Sequence, residues 1–147
     1  MKVYFDACCL NRPFDDQSQP RVRLETEAIS LILEKLTQGE WEWVGSEILL
    51  YEVGQNPVLE NRQRALAFAS LAQQVVEITE KILRRAEELE EIGYDPYDAI
   101  HLSSAEFGKA DVFLTTDDQI LKVTARKKNL FPFTIEIPVK WLEEVLK

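Results

Sequence analysis

The chain has 147 residues, of which 46% are hydrophobic and 29% charged, with a net charge of −9 at pH 7. That balance fits one globular domain, read as spanning 1–147, and argues against a protein that binds nucleic acid through a generally basic surface. No apolar run approaches the ~18 residues of a membrane span and no signal-peptide core follows the N-terminus, so a cytoplasmic location without membrane attachment is expected.

The elements follow from apolar pattern and end signals. VYF (3–5) reads as a first strand that runs into Asp6. The adjacent Cys8 and Cys9 imply no disulfide. NRPFDDQSQPR (11–21) is a long connection rich in turn residues, in which Arg12 is expected to pair with Asp15 or Asp16. From 21 to 38 helical spacing puts Ala28, Ile29, Ile32, Leu33 and Leu36 on one face, with a stop near Gly39. WEWV (41–44) is the second strand, and Ser46 caps a short helix through Val53 that ends at Gly54. Asn56-Pro57 is predicted to open a helix to about residue 73.

QVVEI (74–78) is the third strand, and Thr79 precedes the helix EKILRRAEELEEI, which stops at Gly93. Asp95-Pro96 starts PYDAIHLSSAEF, which ends at Gly108. DVFLT (111–115) is the fourth strand, followed by a helix from Asp118 to about Lys128. FTIEI (133–137) is the fifth, and Pro138 opens a terminal helix. This alternation predicts an α/β fold of βαβ units with a parallel sheet. The basic groups at Arg21 and Arg23, Arg62 and Arg64, Arg84 and Arg85, and Lys122 with Arg126, Lys127 and Lys128 read as solvated helix faces.

Ligands of open α/β sheets bind beyond the carboxyl ends of the strands. Asp6 follows the first strand and Asp117 the fourth, so neighbouring strands would bring both carboxylates to one edge. Asp98 lies in the first turn of its helix, and Glu52 late in the short helix after the second strand. Four acids from four segments thus point to one place, although three have a simpler role: Asp98 beside the cap Asp95, Asp117 as a helix cap, Glu52 on a solvated face. Asp6, where a strand runs straight into a charge beside the core, is the hardest to explain so. SEILLYEV also offers Glu47 in place of Glu52. Clustered carboxylates repel unless a cation holds them, and all-oxygen ligation suits Mg²⁺ or Mn²⁺. Such an ion binds a phosphate oxygen and acidifies water for attack on phosphorus. Zinc is disfavoured, because the only histidine, His101, reads as a packed residue on a mainly apolar helix.

DPYDAIHLSSAEFGKADVFLTTDD (95–118), with the acids at Asp6 and Glu52, resembles the signature of PIN domains, the metal-dependent nucleases that include VapC-type toxins. The resemblance spans essentially the whole chain. It implies a three-layer α/β/α sandwich around a central parallel sheet, Mg²⁺ or Mn²⁺ as cofactor, and endonucleolytic hydrolysis of RNA. It implies Asp6, Asp98 and Asp117 as metal ligands, with Glu52 completing the catalytic set by orienting water. It also implies a homodimer and, for a toxin of a toxin–antitoxin pair, a small antitoxin partner. The sequence departs from the family pattern at Ala7 and Cys8, where Ser, Thr or Asn is usual, and at Thr116, where Asn is usual. Less polar support is therefore expected beside Asp6.

The competing reading is a PIN-fold nucleic-acid-binding or scaffold protein without turnover. Other acidic α/β domains fit less well. A phospho-receiver needs an acceptor Asp ending the third strand, which here runs into Thr79. An aspartyl-nucleophile phosphatase needs a second Asp where Cys8 stands. No glycine-rich phosphate loop is present.

Overall fold

A computed structural model describes residues 1–147. Five strands, β1 (Lys2–Phe5), β2 (Glu42–Ser46), β3 (Gln74–Val76), β4 (Val112–Leu114) and β5 (Thr134–Glu136), alternate with eight helices. These are α1 (Ala7–Asn11), α2 (Pro20–Thr37), α3 (Glu47–Val53), α4 (Leu59–Ala69), α5 (Glu80–Ile92), α6 (Pro96–Phe107), α7 (Asp118–Arg126) and α8 (Pro138–Val145). All strand pairs are parallel, in the order β3-β2-β1-β4-β5.

Strand side chains alternate between faces, and here both faces are apolar, as a sheet covered on both sides requires. Val3, Phe5, Trp43, Val112 and Leu114 point to one layer, where they pack with Ile29, Ile32, Leu36, Leu49 and Trp141. Tyr4, Val44 and Phe113 point to the other, against Leu89, Leu102 and Val123. The result is the expected three-layer α/β/α sandwich.

Several boundaries differ from the sequence reading, each for a local reason. The connection after β1 is not all turn: Asp6 is the N-cap of the five-residue α1, and a 3-10 turn follows at Arg12–Phe14. Asn56-Pro57 does not open α4. The Asn56 side chain accepts from the Val58 backbone NH at 3.0 Å, forming an Asx turn, and Val58 is the N-cap. α4 stops at Ala69 because Gln73 is drawn to the sheet. Its backbone NH donates to Trp43 O at 3.1 Å, and its side chain accepts from Trp43 N at 2.8 Å. β2 starts one residue later than WEWV and runs on through Gly45 to Ser46.

Arg12 pairs with Asp15 at 3.1 Å, as expected, and more closely with the buried Glu25 of α2 at 2.6 Å. Gly108, which ends α6, has an ordinary φ of −77°, so its need is steric. A Cβ there would lie 2.6 Å from Val44 Cγ1 and 2.9 Å from Val76 Cγ2. Gly108→Ala is expected to cost about 1–3 kcal/mol of stability by overpacking helix against sheet. A urea-denaturation midpoint equal to wild type would show that the layers can slide apart instead.

Candidate active site

β1 connects to β2 on one side while β4 lies on its other side, so the strand order reverses between β1 and β4. That switch point leaves a crevice at the strand carboxyl ends, because the following connections diverge to opposite directions. Asp6 leaves β1 there and Asp117 follows β4 after Thr115 and Thr116. The ladder reaches this point: Asp6 N donates to Leu114 O at 2.9 Å. The condition on which the sequence reading brought the two carboxylates together, that the two strands are neighbours, is met.

Asp6 is 4% exposed and its carboxylate is held from three directions. Oδ1 accepts from Ala7 N at 2.8 Å, and Oδ2 accepts from the Thr115 hydroxyl at 2.9 Å and the Cys8 thiol at 3.4 Å. Cys8 Sγ also accepts from Thr116 N at 3.3 Å. The polar support that Ala7 and Cys8 seemed to lack is thus supplied by Thr115 and by the thiol itself.

Glu52 and Glu47 separate clearly. Glu47 is exposed and accepts from Ile78 N at 2.6 Å, away from the crevice. Glu52 turns to His101, whose Nε2 lies 3.0 Å from Glu52 Oε1 and 3.9 Å from Asp6 Oδ1. His101 is fully buried, and its Nδ1 lies 2.6 Å from the Tyr4 hydroxyl, itself 2.7 Å from Ser46 Oγ. Ser46 Oγ also accepts from Leu49 N, capping the helix that carries Glu52. One chain of hydrogen bonds therefore ties β1, α3 and α6 together behind the acids.

The direction of this chain is set by Glu52, whose carboxylate can only accept, so Nε2 donates to it in either protonation state. In the neutral ring Tyr4 donates to Nδ1. In the charged ring Nδ1 donates to Tyr4, whose hydroxyl turns to Ser46. Burial pushes the Tyr4 hydroxyl well above its ordinary pKa, which keeps it protonated. Ligand atoms of Asp6, Glu52 and His101 all lie within 4.8 Å of one another. With Nε2 committed to Glu52 and Nδ1 to Tyr4, however, His101 orients an acid and has no lone pair free for a metal.

Asp98 and Asp117 lie outside that tight group but line, with Glu52, Asp95, Pro96 and Tyr97, a cleft of about 480 Å³ above it. Asp117 Oδ1 caps α7 through Gln119 N at 2.8 Å, which leaves Oδ2 without that duty. Asp95 makes no side-chain cap, so Asp98 is not half of a capping arrangement. Burial first, then repulsion from Asp6 and Asp117, pushes the Asp98 pKa up to about 7. Burial likewise raises that of Asp6, offset only in part by His101 and Thr115. Oxygen donors that cannot all ionise without a counter-charge fit a hard divalent cation.

His101 also has a raised pKa: burial lowers it, but Glu52 and Asp6 more than compensate. Asp6, Asp98 and His101 thus all hold protons more tightly in the fold than in the unfolded chain. The fold binds the extra protons from about pH 4, where a free Asp ionises, to about pH 7 and above, so stability falls as pH rises through that window. The exposed carboxylates with lowered pKa, Asp16 and Asp118, act only at more acidic pH. Metal-free protein should therefore melt higher at about pH 5 than at about pH 8, and Mn²⁺ should raise Tm most at the higher pH. A Tm that climbs over this range would contradict the cluster's electrostatics.

Sequence reasoning named Ser46 as the helix cap, which holds, but missed its bond to Tyr4, and it missed Tyr4, Thr115 and the engagement of His101. The one local signal was the spacing of Asp98 and His101 at i and i+3 on α6, which puts them on one face.

The family model described as PIN domain matches residues 3–126. No curated protein matches the sequence. Among solved structures, the fold is similar to VapBC2 from Rickettsia felis bound to a DNA fragment from their promoter, with a TM-score of 0.59. Identity is 16%, over 93% of this chain and 98% of that chain, a level at which the likeness is one of fold.

Proposed function

This chain belongs to the PIN domain family, and from that premise we propose that it is a metal-dependent endoribonuclease, the toxin of a toxin–antitoxin pair. The observation that carries the reading is that Glu52, Asp98 and Asp117 line one cleft beside the buried Asp6, with burial first, and then Asp6 and Asp117, raising the Asp98 pKa to about 7. PIN domains are generally metal-dependent nucleases, and this acidic cluster supports the same chemistry here.

Asp6, Asp98 and Asp117 would hold Mg²⁺ or Mn²⁺. The bound ion supplies Lewis-acid polarisation of the phosphodiester and lowers the pKa of water. The remaining work falls to the chain. Thr115, Cys8 and the Ala7 amide fix the Asp6 carboxylate. His101 fixes Glu52, which faces the cleft and accepts the proton of the attacking water. The buried floor around Asp6 limits solvent and so strengthens each charge interaction.

Incubation of labelled RNA with Mn²⁺ should give internal cleavage that chelator stops. The products should carry linear phosphate ends, because water and not the ribose 2′-hydroxyl is the nucleophile. Metal-independent cleavage, or 2′,3′-cyclic phosphate products, would refute the mechanism. The partner of the solved relative, in the complex named VapBC2, supports an antitoxin as partner here, and the family supports a homodimer; co-purification with the product of an adjacent small reading frame tests the first and light scattering the second. No helix is long and apolar enough to cross a membrane.

A further inference from the structure

Two tyrosines stand where the carboxylates alone do not require them. On α3 Tyr51 immediately precedes Glu52, and on α6 Tyr97 immediately precedes Asp98. One residue along a helix is a turn of about 100°, which carries each ring from the acid's direction to the rim of the cleft. Tyr51 is 51% exposed and Tyr97 46% exposed. Their rings meet edge to face, with centroids 6.1 Å apart and an interplanar angle of 83°, and Tyr97 lines the cleft beside Asp98, Asp117 and Glu52. An edge-to-face pair leaves at least one face of each ring free of its partner.

Charge makes these rings significant. The chain carries a net −9, and several arginines that would meet phosphates are already paired. Arg12 is held by Glu25 and Asp15, Arg21 by Asp118, Arg64 by Glu60, Arg84 by Glu80 and Arg85 by Glu106. None of the residues that line the cleft is basic, so phosphate neutralisation, the usual source of nucleic-acid affinity, is weak there. Stacking of unpaired bases on aromatic faces adds affinity that does not come from phosphate neutralisation.

We propose that Tyr51 and Tyr97 form a stacking platform for the unpaired nucleobases flanking the scissile phosphodiester and so set the affinity for the strand that is cut. This inference rests on the nuclease reading above. Bases inside an A-form duplex are stacked on each other and offer no free face to the rings, whereas a loop or single strand can splay its bases onto them.

The test is steady-state cleavage in Mn²⁺ of a labelled single-stranded oligoribonucleotide, its duplex, and the same strand with abasic riboses beside the cleaved bond. Tyr51→Ala with Tyr97→Ala should raise KM for the single strand by about ten-fold or more, with Mn²⁺ affinity unchanged. Tyr51→Phe with Tyr97→Phe, which keeps the ring faces, should bring KM back to within about two-fold of wild type. The abasic strand should have a high KM for wild type and be indifferent to the alanines, and the duplex should be cleaved poorly. An unchanged KM in the alanine pair, a phenylalanine pair as impaired as the alanine pair, or efficient duplex cleavage would overturn the proposal. So would light scattering that shows a wild-type dimer falling to monomer in the alanine pair, because the tyrosines would then cover a second copy. If wild type cleaves none of the substrates, the nuclease reading fails and takes this one with it; if it cleaves them all without regard to the tyrosines, only this one fails.

Discussion

Asp98→Asn should lower Mn²⁺-dependent RNA cleavage by more than about 100-fold, since removing only an outer-shell partner of a metal typically costs about 10–100-fold, and it should do so in a protein that melts no lower than wild type. The two halves of that expectation have one cause. Asp98 is half-buried, and burial together with Asp6 and Asp117 opposes its ionisation. A neutral amide of nearly the same shape removes the repulsion and should raise the Tm of the metal-free protein at about pH 8, where the acid would be charged. It also removes a ligand. Lost activity with equal or higher stability is the behaviour of a site that gives up stability for function. Retained cleavage would exclude Asp98 from the reaction, and lost activity with a collapsed circular-dichroism spectrum would show a structural role.

His101→Leu should lower kcat by about 10–100-fold and leave KM for RNA nearly unchanged. The side chain touches no part of the cleft surface: it is fully buried, with both nitrogens engaged by Tyr4 and Glu52. Its work is to hold Glu52 toward the place where water is activated, so its loss should affect the chemical step more than binding. His101→Gln keeps a donor that can face Glu52 and should recover part of the rate. An unaltered kcat in the leucine variant, with the fold intact, would mean that Glu52 needs no such support. Equal damage in both variants would point to packing as the role of the ring.

The parts of the fold that were legible in the sequence are those written in local pattern. A strand that ends in an acid, VYF into Asp6, and another that ends Thr-Thr-Asp before a capped helix, announced both the strands and the crevice. The helix over PYDAIHLSSAEF was marked by its proline and its glycine. The acids Asp6 and Asp117 could be paired only on the condition that β1 and β4 were neighbours, a long-range fact that apolar patterning does not contain.

What the sequence hid was long-range or doubly used. Tyr4 and His101 lie 97 residues apart, and His101 and Glu52 lie 49 apart, so no periodicity connects them. Asp6 serves as the N-cap of α1 and as a cleft acid, and its reading as a cleft acid concealed the helix. Glu25 sits on the buried face of α2, where an acid looks misplaced until Arg12 is seen to come from the preceding turn. Cys8 read as lost polarity, whereas the thiol lies 3.4 Å from both Asp6 Oδ2 and Thr115 Oγ1.

Calorimetric titration of Mn²⁺ into wild type and Asp98→Asn near neutral pH decides whether the converging carboxylates form a divalent-cation site. Saturable binding to wild type is expected, accompanied by proton release as Asp98 gives up its proton, with binding to the variant weakened by more than about ten-fold. Equal binding to both proteins, or none to wild type, would contradict such a site.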